Sequence, residues 1–282
     1  MIQIDLNKCS KCGFCSRVCP AYIILFSKEE GPSVKFPEVC ISCGHCIAIC
    51  PTDAIIHPKM DISDFNPIIN PNISYDQYLN LVRNRRSIRR FMKEPISDED
   101  IEKILNSVRY IPTAENSQAL KYLIIKDQNQ LMEIKKSMYK LMRKLKRLLD
   151  ILFILKFLVP KRLQLGLKRL VETWEKYGES GKEDPFLRQA STLIIIYAKK
   201  SNRLRIWDAG IACQNIMFAA ETLGIGTVLN GYHTISVQFS KSVRKASKLP
   251  KKHKILASIC LGYPAIKYNK TIYRKKPSQI II

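Results

Sequence analysis

Sulfur is the first candidate for chemistry in this chain. Eight of its ten cysteines stand in two runs, "CSKCGFCSRVCP" at 9–20 and "CISCGHCIAICP" at 40–51, and both read C-x2-C-x2-C-x3-C-P. A cubane iron–sulfur cluster needs four thiolates converging from several directions. Two-residue gaps let one tight loop wrap three of them around a cluster, and the cysteine before proline points elsewhere. Zinc also takes paired C-x2-C ligands, but a tetrahedral ion asks for two pairs, not a triplet and a distant fourth. Disulfide frameworks rarely repeat a ligand spacing. Gly13 and Gly44 each follow a second cysteine and leave room for backbone beside a cluster. His45, between two of the cysteines, reads as a neighbour or surface residue, and Cys213 and Cys260 as core thiols.

Residues 1–60 resemble the bacterial-type two-cluster ferredoxins. In that family the cysteine before proline ligates the other cluster. The resemblance therefore implies crossed ligation, with Cys9, Cys12, Cys15 and Cys50 around one [4Fe–4S] cluster and Cys40, Cys43, Cys46 and Cys19 around the second. The start, "MIQIDLNKCS", has no basic region followed by an apolar run, so no secretory leader is read and a reducing cytoplasm is expected.

The elements that would position further chemistry follow a linker, 61–74, rich in Pro, Asn and Asp. Ser74 with Gln77 makes a capping-box pattern, and Ser97 with Asp100 opens a second helix carrying Ile101, Ile104, Leu105 and Val108. The runs at 120–126, 193–198 and 255–262 are short, apolar and rich in β-branched residues, as buried strands are. Residues 207–224 are apolar nearly all round and end at glycine, which predicts a buried central helix. Trp174 and Trp207 read as packing residues. The mixture argues for an α+β body.

Within that body, "RNRRSIRRF" at 83–91 sets five arginines and a serine at a helix end. Guanidinium groups fork onto phosphate oxygens and a hydroxyl adds a donor, although a solvated basic helix end would look the same. A polar turn, "IPTAENSQAL", joins a helix to a strand at 111–120, "GIGTVLNGY" leaves the apolar helix at 224–232, "LGYP" ends a strand, and "YRKK" lies at 273–276. That order resembles the nitroreductase family of flavoproteins over about residues 75–130 and 185–282. The resemblance implies a mixed sheet flanked by helices over 75–282, a homodimer, and FMN at the subunit interface. It implies that Arg85, Arg86, Ser87 and Arg89 hold the FMN phosphate and ribityl chain. Pro112, Thr113, Ala114, Asn116 and Gln118 would reach the flavin from the partner subunit. Leu229, Asn230 and Gly231 would form the loop facing the reactive edge of the ring, which Asn230 could tune. Arg274 and Lys276 match a late basic pair near the phosphate. Ala119 and Leu120 stand where the family often has Pro-Trp, which alters the pocket wall. His233, just past the loop, is a candidate to face the pocket.

The charge is uneven. Of a net +23, residues 1–60 carry +1, and 131–170 hold twelve Lys/Arg against Glu133 and Asp150. Leu131, Ile134, Met138, Leu141, Leu145, Leu148 and Leu152 keep helical spacing, so 131–152 reads as a basic amphipathic helix opening an insert over 131–185. The apolar run 148–159 contains Asp150 and Lys156 and falls short of the roughly 20 residues a span needs. The insert could be a lid over the pocket or dimer partner, an attachment to an anionic membrane surface, or a nucleic-acid contact, the last lacking a stacking set, with only Tyr139 and Phe153 in the stripe.

The two parts complement one another. Clusters pass single electrons and FMN exchanges two. The expected function is an FMN-dependent oxidoreductase fed by its own clusters. It would reduce an electron-poor small molecule such as a nitroaromatic, quinone or activated alkene by ping-pong hydride transfer, with external ferredoxin or NAD(P)H as donor. The alternatives are a non-catalytic electron carrier or redox sensor, and a cluster-bearing nucleic-acid binder.

Overall fold

The computed structural model describes residues 1–151, 158–178, 182–199 and 204–282. Leu152, Phe153, Lys156 and part of the polar loop at 178–185 lie outside the described residues. The chain divides into two compact units. The first comprises Met1–Asn72 with Thr113–Gln118, the second Ile73–Pro112 with Ala119–Ile282.

In the first unit, strand β1 (Gln3–Ile4) pairs with β4 (Ile55–Ile56), and β2 (Ile24–Ser27) forms a hairpin with β3 (Gly31–Val34). Helices α1 (Phe14–Val18) and α2 (His45–Ala48) each carry the third cysteine of a run. Both start on a glycine in the left-handed region, Gly13 at φ 73° and Gly44 at φ 75°. A Cβ there would also crowd the rings of Phe26 and Phe65. Those two constraints account for glycine at both positions. Ile2, Ile23, Ile24, Ile47 and Ile55 fill the small core.

The second unit is built on a four-stranded sheet ordered β5-β6-β8-β7, where β5 is Lys121–Ile125, β6 Thr192–Lys199, β7 Gly226–Leu229 and β8 His253–Gly262. All three pairings are antiparallel. The arginine segment adds parallel character at the open edge of β7, where Ser87 bridges Thr227 and the Ile88 amide donates to the Thr227 carbonyl at 2.9 Å. Alternate β6 residues face opposite layers, as a doubly covered strand requires. Leu193 and Ile195 pack with α5 (Gln128–Ile151), α6 (Lys161–Tyr177), α8 (Gly231–Phe239) and α9 (Lys241–Ala246). Ile194 and Ile196 pack with α4 (Asp98–Ser107) and α7 (Arg205–Thr222).

The capping box opens α3 (Tyr75–Asn84): Ser74 Oγ accepts from the Gln77 amide and Gln77 Oε1 from the Ser74 amide. The helix expected at 207–224 differs in its surroundings. Ala209, Ala212, Ile216 and Ala220 are buried, but Ile206 is 61% exposed and Trp207 71%. Its apolar periphery is therefore half core and half open surface, and Trp207 is not a packing residue of this chain's core. Trp174 is, lying between Tyr139 and Phe186. Among the described residues no helix is long and apolar enough to cross a membrane.

Candidate functional site

The eight clustered cysteines sort into two groups around two hollows. Cys9, Cys12, Cys15 and Cys50 line one, with Gly13, Pro32 and Ala54. Cys19, Cys40, Cys43 and Cys46 line the other, with Pro20, Ile41, Gly44 and His57. The fourth cysteine of each run stands with the first three of the other. No three His, Cys, Asp or Glu side chains among the described residues lie close enough together to hold one metal ion. Each hollow is lined by four thiols, the donor set that a [4Fe–4S] cubane takes.

The first group collects amide hydrogens. The Lys11 amide donates to Cys9 Sγ at 3.4 Å, the Ala54 amide to Cys50 Sγ at 3.3 Å, and the Phe14 amide holds Cys12 below the usual thiol range. N–H groups aimed at sulfur favour the thiolate. Burial pushes Cys15 up, and Cys46 up to about 11. In the second group His57, buried and unassigned from sequence, places Nε2 3.9 Å from Cys40 Sγ. His45 is exposed at the start of α2.

The second unit holds a hollow of about 320 Å³ lined by Arg89, Phe186, Arg188, Val228, Leu229, Asn230, Gly231, Tyr232 and Ile235. Arg89 comes from the segment along β7, and 229–231 from the end of β7 and the start of α8. Arg188 arrives from a turn held by Asp184. There Oδ1 accepts from the Phe186 and Leu187 amides, both at 2.9 Å, and Oδ2 accepts from the Gln189 amide at 3.0 Å. Lys135 of α5, half-buried, meets the buried Asp184 at 3.0 Å. Burial lowers Arg188 below the usual guanidinium range; Asp184 opposes this and the Arg89 charge adds to it. Two cations beside the N-terminus of a helix make a place for an anionic group. Val228, Leu229, Ile235, Phe186 and Tyr232 supply apolar and aromatic wall for a planar ring.

The other residues assigned from sequence go elsewhere. Arg86 is buried, donates to the Lys270 carbonyl and lies 4.5 Å over the Tyr268 ring. It pins the C-terminal segment inside a separate hollow of about 410 Å³ that also holds Glu221. Arg85 sits close enough to bias the Glu221 carboxyl, and neither Arg85 nor Ser87 lines the 320 Å³ hollow. Arg274 and Lys276 lie exposed beyond β8 and line neither hollow. Asn230 does not offer its side chain. Oδ1 accepts from the His233 amide at 3.0 Å, and Nδ2 donates to the Phe186 carbonyl and Cys260 Sγ. His233 does not face the hollow. It is fully buried between Ser258 Oγ at 2.8 Å and Ser247 Oγ at 2.9 Å. Burial lowers it to about 4. Cys213 and Cys260 are buried, raised to about 11 and about 12.

The segment expected to reach a flavin, 113–118, packs with the cysteine unit. Asn116 Nδ2 donates to the Ser42 carbonyl at 2.6 Å and the Ile41 carbonyl at 3.3 Å, within the loop between Cys40 and Cys43. Gln118 Nε2 donates to Asn116 Oδ1, and Thr113 Oγ1 accepts from the Gln118 amide. Glu115, Asn116 and Gln118 all have positive φ, so the strap is tightly wound.

Residues 82–263 match the model described as Nitroreductase family. The chain belongs to the nitroreductase family. Residues 1–51 match the model of a 4Fe-4S dicluster domain, so this nitroreductase-family oxidoreductase is fused to an N-terminal iron–sulfur domain. It is 26% identical, over 67% of its length and 86% of the relative's, to an Archaeoglobus fulgidus protein provisionally named NADH dehydrogenase/NAD(P)H nitroreductase. It is also 26% identical, over 65% of its length and 87% of the relative's, to an iodotyrosine deiodinase of Thermotoga neapolitana. Among solved structures it resembles a nitroreductase with bound FMN from Desulfitobacterium hafniense, at TM-score 0.56 and 20% identity, over 72% of this chain and 97% of that one.

Proposed function

We propose that this nitroreductase-family chain is an FMN-dependent reductase supplied with electrons by two [4Fe–4S] clusters of its own, acting on an electron-poor small molecule. The observation that carries this reading is the convergence of Arg89, Arg188 and the start of α8 on one hollow with aromatic and aliphatic walls. Arg89 and Arg188 would hold the phosphate, and Val228, Leu229, Tyr232 and Ile235 would wall the ring. Asn230 and His233 fix the loop by their hydrogen bonds within the core. Cys9, Cys12, Cys15 and Cys50 would ligate one cluster, and Cys19, Cys40, Cys43 and Cys46 the other. Bound in these places, the clusters supply single-electron exchange and FMN the two-electron reduction of an acceptor.

The working form is a homodimer. Ile206 and Trp207 on α7 and Ile235 and Phe239 on α8 are 55–80% exposed, apolar side chains on the two layers of the sheet that a second copy would cover. Similarity to a deiodinase as well as to a nitroreductase fits an acceptor of the broad electron-poor class.

Anaerobic purification with flavin and iron quantification tests the reading. FMN is expected at one per chain and iron near eight. Arg89→Ala and Arg188→Ala should each reduce FMN retention at unchanged iron. Cys12→Ser and Cys43→Ser should each halve the iron and abolish ferredoxin-driven turnover. Undiminished ferredoxin-driven turnover in both cysteine variants would sink the internal electron supply.

A further inference from the structure

Helices α5 and α6 pack on the sheet with only part of their length. The apolar stripe of α5 enters the core at Leu131, Ile134, Met138 and Met142, and α6 joins it at Leu170, Val171 and Trp174. Beyond Met142 on α5, and before Leu170 on α6, no described side chain is buried. Yet the apolar stripe continues. Leu145 and Leu148 follow Met142 at helical spacing, 40% and 45% exposed, and Ile151 is 78% exposed. Leu158, Leu163 and Leu165 on the return are 57–73% exposed. A helix end meant for water has no use for such a series.

The same ends are ringed with cations. Lys140, Arg143, Lys144 and Arg147 are exposed on α5, and Lys161, Arg162, Lys168 and Arg169 on α6. The acids nearby are committed to lysines one turn away, Asp150 to Lys146 at 3.0 Å and Glu172 to Lys168 at 3.7 Å. Whatever covers this surface must accept leucine side chains and carry negative charge at their rim. A second copy of the chain meets the first requirement but brings the same cations against these. Nucleic acid meets the second and leaves the leucines wet. An acidic bilayer surface meets both: aliphatic side chains enter at the acyl boundary while lysine and arginine reach back to the headgroups.

We propose that the outer halves of α5 and α6 form a membrane-surface anchor that seats the protein on anionic lipid without crossing it. The anchor is separate from the flavin hollow and independent of the reading of its chemistry.

The test uses the full-length holoprotein and vesicles of phosphatidylcholine with or without phosphatidylglycerol, sedimented at low and physiological salt. Pelleting is expected with the acidic vesicles and not the neutral ones, and weaker as salt rises. Replacing Arg143, Lys144 and Arg147 by Gln should lower partition at low salt by roughly fivefold per charge. Replacing Leu148, Ile151 and Leu163 by Ser should abolish pelleting at either salt with unchanged FMN content and oligomeric state. All six residues are exposed, so neither variant threatens folding. Failure to pellet with acidic vesicles at low salt overturns the anchor, as does equal pelleting with neutral ones. A changed oligomeric state in the serine variant with lipid binding intact would assign the surface to a second copy instead. Tighter, salt-sensitive binding to duplex DNA than to vesicles would assign it to nucleic acid.

Discussion

Asn230 lines the 320 Å³ hollow and His233 follows it in sequence, but the core takes up their side-chain polar groups. Asn230 joins α8, the Phe186 turn and β8; His233 lies between two serine hydroxyls. Position in the chain gave no way to distinguish this from a ring-facing role, because the partners Ser247 and Ser258 come from other elements. The burial of His233 has a pH consequence. Its value falls from 6.5 to about 4, so between those values the unfolded chain binds a proton that the folded one excludes. Its contribution is complete above about pH 6.5 and is lost as pH falls towards 4, amounting to about 3 kcal/mol. Urea midpoints measured from pH 7 to 4 should fall, and His233→Gln should flatten that slope. An equal slope in the variant would remove His233 as its source. Arg188 was missed for a related reason: a lone arginine in a polar stretch has no motif, and only the turn at Asp184 carries it to the hollow.

Helix starts were legible because their signals are local. Ser74 with Gln77, and Ser97 with the Asp100 amide, close contacts within four residues. Strands β5, β6 and β8 were legible as apolar β-branched runs. β7 was not, since a four-residue strand after a glycine turn becomes a strand by pairing with β8. At this scale Asp184 matters most, because one buried carboxylate holds three amides and Lys135. Asp184→Ala strands Lys135 and frees the turn that presents Arg188. A loss of about 3–5 kcal/mol in urea denaturation is expected, with weaker FMN retention. Asp184→Asn keeps one acceptor oxygen, enough for the Phe186 and Leu187 amides, and should lose less than the alanine variant.

For the whole molecule, the open apolar side of α7 is the surface that the proposed dimer would cover. An all-round apolar sequence predicts a buried helix, and in this chain it is buried on one side only. Trp207 and Phe239, 71% and 80% exposed, should mark the dimer contact. Trp207→Glu with Phe239→Glu is expected to shift sedimentation velocity from dimer to monomer. A dimer that survives the change would place the contact elsewhere. The strap at 113–118 is likewise a whole-molecule feature: its sequence resembles a flavin-contacting turn, while its Asn116 side-chain amide is bonded to the loop between Cys40 and Cys43.

The cysteine spacing, the helix caps and the β-branched runs were readable in the chain itself, because a ligand run, a capping box or an apolar period is written in residues a few places apart. The grouping of Cys50 with the first run and Cys19 with the second depended on a resemblance, and in the structure chain reversals bring each across. Where Arg86, Arg188, Asn116 and Asn230 direct their side chains was left to tertiary structure. Arg86, Asn116 and the Asn230 amide nitrogen find partners on segments far away in sequence, and Arg188 reaches the hollow through a turn that Asp184 folds, because a long polar side chain goes wherever the fold brings a carbonyl, a carboxylate or a ring within reach.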